Sequence, residues 1–449
     1  MILSWRRRRA SKYANRKEFT GETLDMGMEE IVIPSHFRCP ITLDLMKDPV
    51  TLSTGMTYDR SSIDAWIEKG NKTCPVTNQV LATFDQIPNH ALRKMIQDWC
   101  VENRSHGVER IPTPRIPVSA YEVTRVYQRI MAATQRGDYN KCLELVAKVR
   151  AWGKDSERNK KCMMENRMGC CLSATFEFFA GNEETTLLEE ILAVLPWMFP
   201  IGEEGQSKLG SAKSLRCLVW FLEGKDLSSR QNAVSVLRKL VSLDQKHVDA
   251  IMEIEGAIEA LVKIIREGPS VCPTATKASL SCVFYMISGA SNEIKSRFVE
   301  LGLVSLLLEM LVDAEKSLCE RALGVLEGLC DCKQGREKAY ENALTMPLLV
   351  KKMLRVSVLA NEFSVSIIWK LCRNQNGDGD GDDEEEIKIL MEALQVGAFQ
   401  KFLVLLQVGC GDGIKDKVTE LLKLFNLHIS KVDCVDSSMD FKYLKKGQF

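Results

Sequence analysis

Five side chains between positions 33 and 100 are of types that ligate metals or act as nucleophiles: His36, Cys39, Cys74, His90 and Cys100. A zinc cross-brace of two sites needs about eight Cys and His ligands, arranged largely in paired C-x2-C spacing. No C-x2-C pair occurs in this stretch, so no metal site is expected there. Farther along, Cys170-Cys171 and Cys330-Asp331-Cys332 sit inside apolar helical runs without His or further Cys at ligand spacing. They read as buried thiols rather than as a metal or redox centre. The chemistry of residues 33–100 is therefore sought in the loops and in what they present.

The elements that hold those loops are short. Apolar residues alternate up to Leu52 ahead of Gly55, which predicts a hairpin turning through Gly55-Met56-Thr57-Tyr58-Asp59-Arg60. Asp59 is placed to cap a helix with Ile63, Trp66 and Ile67 on one face, and Gly70 to end it. Cys74-Pro75-Val76-Thr77-Asn78 forms a second loop, and Asn89 is placed to cap a last helix through Ile96 and Trp99.

Loop, hairpin, helix, loop and helix in this order resemble the U-box of ubiquitin ligases. The likeness rests on Ile33-Pro34, Cys39-Pro40-Ile41, Asp48-Pro49-Val50, Gly55-x-Thr57-Tyr58-Asp59-Arg60, Cys74-Pro75-x-Thr77 and Ile87-Pro88-Asn89. It implies a small α+β fold, RING-like but zinc-free, in which Asp44, Asp48, Thr57, Asp59, Arg60, Thr73 and Thr77 are available to replace the metal by hydrogen bonds and ion pairs. It also implies a ligase without a cofactor and without a covalent intermediate, which binds a ubiquitin-conjugating enzyme carrying ubiquitin and acts by positioning. Ile41, Trp66 and Pro75 match the family's contact positions for the conjugating enzyme; the alternative for Ile41 and Trp66 is a place in the core. Asn78 stands where relatives carry a linchpin, or is a turn asparagine.

Residues 120 to 449 carry almost uninterrupted helical periodicity, and they repeat. Windows beginning at Gln231, Glu320 and Glu362 superpose without a gap, and the small residue at their third place recurs at Ala233, Ala322 and Ser364. Ala278 begins a weaker copy, which makes the steps 45, 44 and 42 residues. Glycine-led helices recur from Gly256, Gly302 and Gly397, the last step being lengthened by the acidic tract 376–386, expected to be a disordered insertion. A period of ~40 to 47 residues is that of armadillo and HEAT solenoids. The pattern resembles armadillo repeats, and a U-box, a linker and armadillo repeats together are similar to the plant U-box ligases.

The organisation expected is a basic arm at 1–31, a U-box at 32–106, a proline-rich linker at 107–119, helical caps at 120–212, armadillo repeats at 213–429 and a tail at 430–449. In armadillo arrays the third helix lines a concave groove, so Arg238, Arg321 and Trp369 are candidates for holding a protein substrate, with Lys239, Glu320, Glu327 and Lys370 beside them. An ordinary solvated face is the alternative. With 60 basic and 60 acidic residues in 449, nucleic acid is not an expected partner. No apolar run reaches the ~18 residues of a membrane span, and no apolar segment follows Arg6-Arg7-Arg8-Arg9 as in a signal peptide. A cytoplasmic protein with reduced thiols is expected, the arginine block reading as a nuclear signal, a membrane contact or a solvated run. The expected partners are the conjugating enzyme, ubiquitin and a substrate. The competing function is a non-enzymatic armadillo adaptor using the U-box for docking or homodimerisation.

Overall fold

The computed structural model describes residues 33–111, 117–373 and 383–428. The Arg6–Arg9 block, the linker prolines Pro112 and Pro114, residues 376–382 of the acidic tract and the tail from 430 lie outside the described residues. The chain divides into two compact units between Ile116 and Pro117.

In the first unit, β1 (Pro49–Thr51) lies between β2 (Thr57–Asp59) and β3 (Ile87–Pro88), antiparallel to both. Val50 faces Tyr58 across one pair and Thr51 faces Ile87 across the other. Gly55 turns the hairpin in the left-handed region, at φ +79°, which a residue without Cβ adopts at little cost. β3 had no sequence signal: it is two residues long and one is a proline, tolerated because the strand is at an edge. Helix α1 (Arg60–Glu68) buries Ile63, and α2 (His90–Glu102) buries Ile96 and Cys100, against Val50, Leu52 and Tyr58. Asn89 caps α2 as its type suggests, Oδ1 accepting from the Leu92 N–H at 3.0 Å. Ile111, within the segment read as linker, is buried in the same core. That core has only twelve buried apolar side chains, too few to fix its loops by packing alone.

The second unit is a stack of helices around one contiguous core. Its spine is a ladder of long helices, each packed on the next: Tyr139–Asp155, Thr186–Met198, Leu227–Val241, Pro273–Ile287, Lys316–Leu329, Val358–Leu371 and Asp412–His428. These are rungs one to seven below. Ala233, Ala278, Ala322 and Ser364 are all buried on rungs three to six, and a small residue at that point lets neighbouring axes approach closely. The first two rungs fall in the segment read as caps, where that small-residue register is missing. Gly256, Gly302 and Gly397 each precede a shorter helix and have φ of +83°, +78° and +85°, so the recurring glycine marks a left-handed turn between helices.

The acidic tract differs from its reading as a disordered insertion through 386. A helix, Asp383–Gln395, already begins within it. An acidic first turn suits the positive end of a helix dipole, which a composition argument for disorder overlooks.

Candidate functional site

Two loops of the first unit each close around a cysteine. In the first, the Cys39 N–H donates to Asp44 O at 2.8 Å, the Leu43 N–H donates to Cys39 O at 2.7 Å, and the Asp59 N–H reaches the Cys39 sulfur at 3.3 Å. In the second, the Cys74 N–H donates to Gln79 O at 2.8 Å and the Asn78 N–H to Cys74 O at 2.9 Å. The Thr54 hydroxyl donates to the Cys74 sulfur at 3.4 Å, and the Tyr58 phenol lies 3.0 Å from it while accepting from the Val76 N–H. Burial opposes ionisation of this thiol, but the hydroxyls of Thr54, Thr77 and Tyr58 outweigh it and bring Cys74 down to about 6. Burial and the same sulfur push the Tyr58 phenol up. Both sulfurs are thus structural hubs, Cys39 being 1% and Cys74 0% exposed. Among the described residues no cluster of His, Cys, Asp and Glu is arranged to hold a metal ion.

Polar contacts tie these loops to α1. Asp48 and Arg60 form an ion pair at 2.6 Å, and Gln86 links the Arg60 guanidinium, 3.2 Å away, to Asp64 at 2.5 Å. Asp59 holds the N-cap position of α1, as its type suggested, but its side chain is used differently. Its Oδ1 accepts from the Lys47 and Asp48 N–H groups at 2.8 and 2.9 Å, and no side-chain cap bond forms. A carboxylate that can satisfy two donors of another loop gains more there than from one donor of its own helix. Thr51 and Thr57 join across the hairpin at 2.9 Å.

Ile41, Trp66 and Pro75 all belong to this braced assembly. The Trp66 indole N–H donates to Thr73 O at 2.8 Å, which fastens α1 directly to the second loop, one residue before Cys74-Pro75. Ile41 lies in the first loop, which Asp59 fastens to the start of the same helix. Neither Ile41 nor Trp66 is wholly exposed or wholly taken into the core. Both are half-buried against the core, each with one face packed and one free. The fully presented apolar side chains of the two loops are Leu43, 66% exposed, and Val76, 50% exposed. The sequence signal for them was available: an apolar residue where a tight loop leaves no core position to fill. Asn78 is exposed and adopts φ +57°, a left-handed conformation that asparagine tolerates better than most residues. The turn therefore accounts for its type without any further contact.

Residues 33–105 match the U-box domain family, and residues 122–445 match the family described as the plant U-box protein ARM repeat region. The U-box domain-containing protein 21 of Arabidopsis thaliana is 50% identical, covering 93% of each chain. The chain belongs to the plant U-box family with armadillo repeats. The U-box domain-containing protein 20 of the same plant is 46% identical over 99% of this chain and all of its own length. The E3 ubiquitin-protein ligase PUB22, also from Arabidopsis thaliana, is 30% identical over 92% of this chain and 99% of its own. Among solved structures an engineered protein superposes with a TM-score of 0.52 at 14% identity, covering 69% of this chain and 71% of that one, a likeness of fold alone.

In the armadillo region of this U-box protein, the three groove candidates fare differently. Arg321 on rung five is spent within the ladder, donating to Ser317 O at 2.8 Å, to the Ser317 hydroxyl at 2.5 Å and to the Ser281 hydroxyl of rung four at 3.2 Å. Trp369 on rung six donates its indole N–H to Glu420 of rung seven at 2.7 Å, with Arg373 and Lys417 over its ring. Lys370 spans Glu327 and Asp331 at 2.6 and 2.5 Å, and Asp331 also meets the buried Lys295 at 2.8 Å. Burial opposes the Lys370 charge, but those two acids hold its ammonium above the usual range. Glu320 accepts from the Ser357 hydroxyl at 2.8 Å. Arg238, on rung three, has a half-buried side chain with no ion pair or hydrogen bond among the described residues. The cysteines of the region are spectators: Cys170, Cys171, Cys330 and Cys332 are all at most 4% exposed, and burial pushes the Cys330 thiol up to about 12.

Proposed function

We propose that this chain is a ubiquitin ligase of the U-box type, which binds a ubiquitin-loaded conjugating enzyme through its two cysteine-centred loops and α1 and holds a protein substrate on the ladder face of the armadillo region. The observation that carries the reading is the bracing itself. Ile41 and Pro75 are set on loops and Trp66 on α1, held together by Asp59, by the Cys74 sulfur and by the Trp66–Thr73 bond, in a stretch that matches the U-box family from 33 to 105. A surface fixed in this way contributes by restricting the motion of a thioester-linked ubiquitin, so that a substrate lysine meets it in a reactive geometry. No covalent step on the ligase is needed, and the cysteines of the two loops are buried around structural bonds.

The test is single-turnover release of ubiquitin from a loaded conjugating enzyme by the full chain and by Ile41→Ala. Loss of an interface anchor of this kind costs about 2 kcal/mol, roughly thirtyfold in affinity. Full stimulation by Ile41→Ala would remove the loop from the contact. No stimulation by the full chain with any of a panel of conjugating enzymes would favour the adaptor reading instead.

A further inference from the structure

The middle of the ladder face has a feature that the groove candidates did not anticipate. On rung five, Gly324 and Gly328 lie on the same helix stripe as Glu320 and Arg321, and both are buried because side chains of neighbouring rungs lean over them. Phe284 of rung four and Phe363 of rung six meet above Gly324, ring centroids 6.2 Å apart and inclined at 63°. A Cβ on Gly324 would come within 3.1 Å of Phe363 and 3.3 Å of Phe284, so the absent side chain is what lets two alternate rungs close an aromatic floor. Tyr285, 38% exposed, extends it, its ring 5.8 Å from Phe284. Two rungs from Gly324, on rung three, Arg238 and Lys239 stand side by side. Lys239 lies over the Phe199 ring at 5.2 Å, and neither cation has an ion pair among the described residues. Elsewhere along the spine the basic side chains of this face are held by acids or by hydroxyls: Lys277 by Glu315, Lys370 by Glu327 and Asp331, Arg373 by Glu420, Arg321 by Ser281 and Ser317, Lys417 by Ser366.

We infer that this face takes an extended peptide segment of the target in which an acidic side chain meets Arg238 and Lys239 and an aliphatic or aromatic side chain lies on Phe284 and Phe363. The inference deepens the functional reading above and rests on its assignment of the substrate to the ladder face. Charge complementarity selects the first contact: burial and the adjoining Arg238 charge hold Lys239 below its usual range, a cost that an anion would relieve. The spacing follows from geometry. Phe284 and Phe363 meet over rung five, two rungs from Arg238 and Lys239; adjacent rungs sit about 8–10 Å apart and an extended chain advances about 3.3 Å per residue, so acid and apolar residue should be separated by about five positions.

The experiment measures binding of fluorescent twelve-residue peptides to the full chain by anisotropy. The probes are a Gly/Ser peptide bearing two aspartates and, five residues along, a leucine and a phenylalanine, made in both orders. Controls replace the aspartates by lysines or the apolar pair by serines. The expected result is binding of one order at least tenfold tighter than either control. Arg238→Glu and Lys239→Glu together should reverse the preference toward the lysine peptide, a gain that misfolding does not produce. Gly324→Ala should weaken binding through the apolar pair while leaving the aspartate-to-lysine discrimination. Equal affinity for all peptides, or an unchanged preference in the charge-reversed chain, overturns the inference. No conjugating enzyme takes part, so a chain that binds as expected yet releases no ubiquitin would defeat the ligase reading alone, and the converse would defeat this one alone.

Discussion

The two units of this chain solve the problem of holding residues in place by different means. The U-box unit has a small apolar core and fixes its loops with polar contacts that bridge 11 to 26 positions of sequence, such as Asp48–Arg60, Arg60–Gln86 and Asp59 with Lys47. The armadillo unit runs one apolar core through all its rungs and leaves its polar side chains to local or next-rung pairs. A core that only neighbours share makes stability nearly additive along the array. A network in which each loop depends on the others makes the U-box unit respond as a whole.

The largest effect expected from that difference is a local one. Leu326→Ala removes a fully buried side chain from rung five and should cost about 2–5 kcal/mol. Amide exchange in the full chain should speed up in rungs four to six and stay as it was in rungs one and two. Exchange quickened along the whole array would show that the armadillo unit, too, behaves as a single cooperative block.

Asp48→Ala should cost less, about 1–3 kcal/mol, by leaving the Arg60 guanidinium without its carboxylate. Here the loss should be shared: protection should fall together in both loops, the hairpin and α1. Protection lost in the first loop alone would mean that the network is a set of independent bonds.

The U-box unit should also respond to pH through Cys74. Its thiol is held at about 6 in the folded unit against an ordinary 9.0. A lowered acid stabilises the fold fully above the higher value and loses that contribution as pH falls to the lower one. The Tm of the U-box transition should therefore rise with pH between about 6 and 9, and Cys74→Ser should flatten that slope. A slope retained in the serine variant would place the titrating group elsewhere. The smallest effect is none at all: a strong chelator should leave the melting of both units unmoved, since no cluster of metal-ligating side chains stands among the described residues. Stoichiometric zinc in the purified chain would contradict that.

Much of both units was legible because it is local. Asn89 could be read as a cap because its partner, Leu92, is three residues away. Glycine before a helix could be read as a unit boundary because a left-handed turn is a property of one residue. Rungs three to six, Leu227 to Leu371, could be aligned because a small residue recurs where their helices cross. Rungs one and two escaped because they stack by apolar packing without that small-residue register.

What the sequence by itself determined is therefore the kind of element at each place and the order of the units, including the family's six loop motifs. Only the tertiary structure decided how the polar side chains are spent. Asp59 spent one carboxylate oxygen on the backbone of Lys47 and Asp48; Trp66 gave its N–H to Thr73; Arg321 and Trp369 were taken up by Ser281 and Glu420 of neighbouring rungs, leaving Arg238 without such a partner. The physical reason is distance. A hydrogen bond forms with whatever donor or acceptor lies within about 3 Å, and across rungs some 40 to 50 residues apart that neighbour is set by how the helices stack, which periodicity along the chain does not encode.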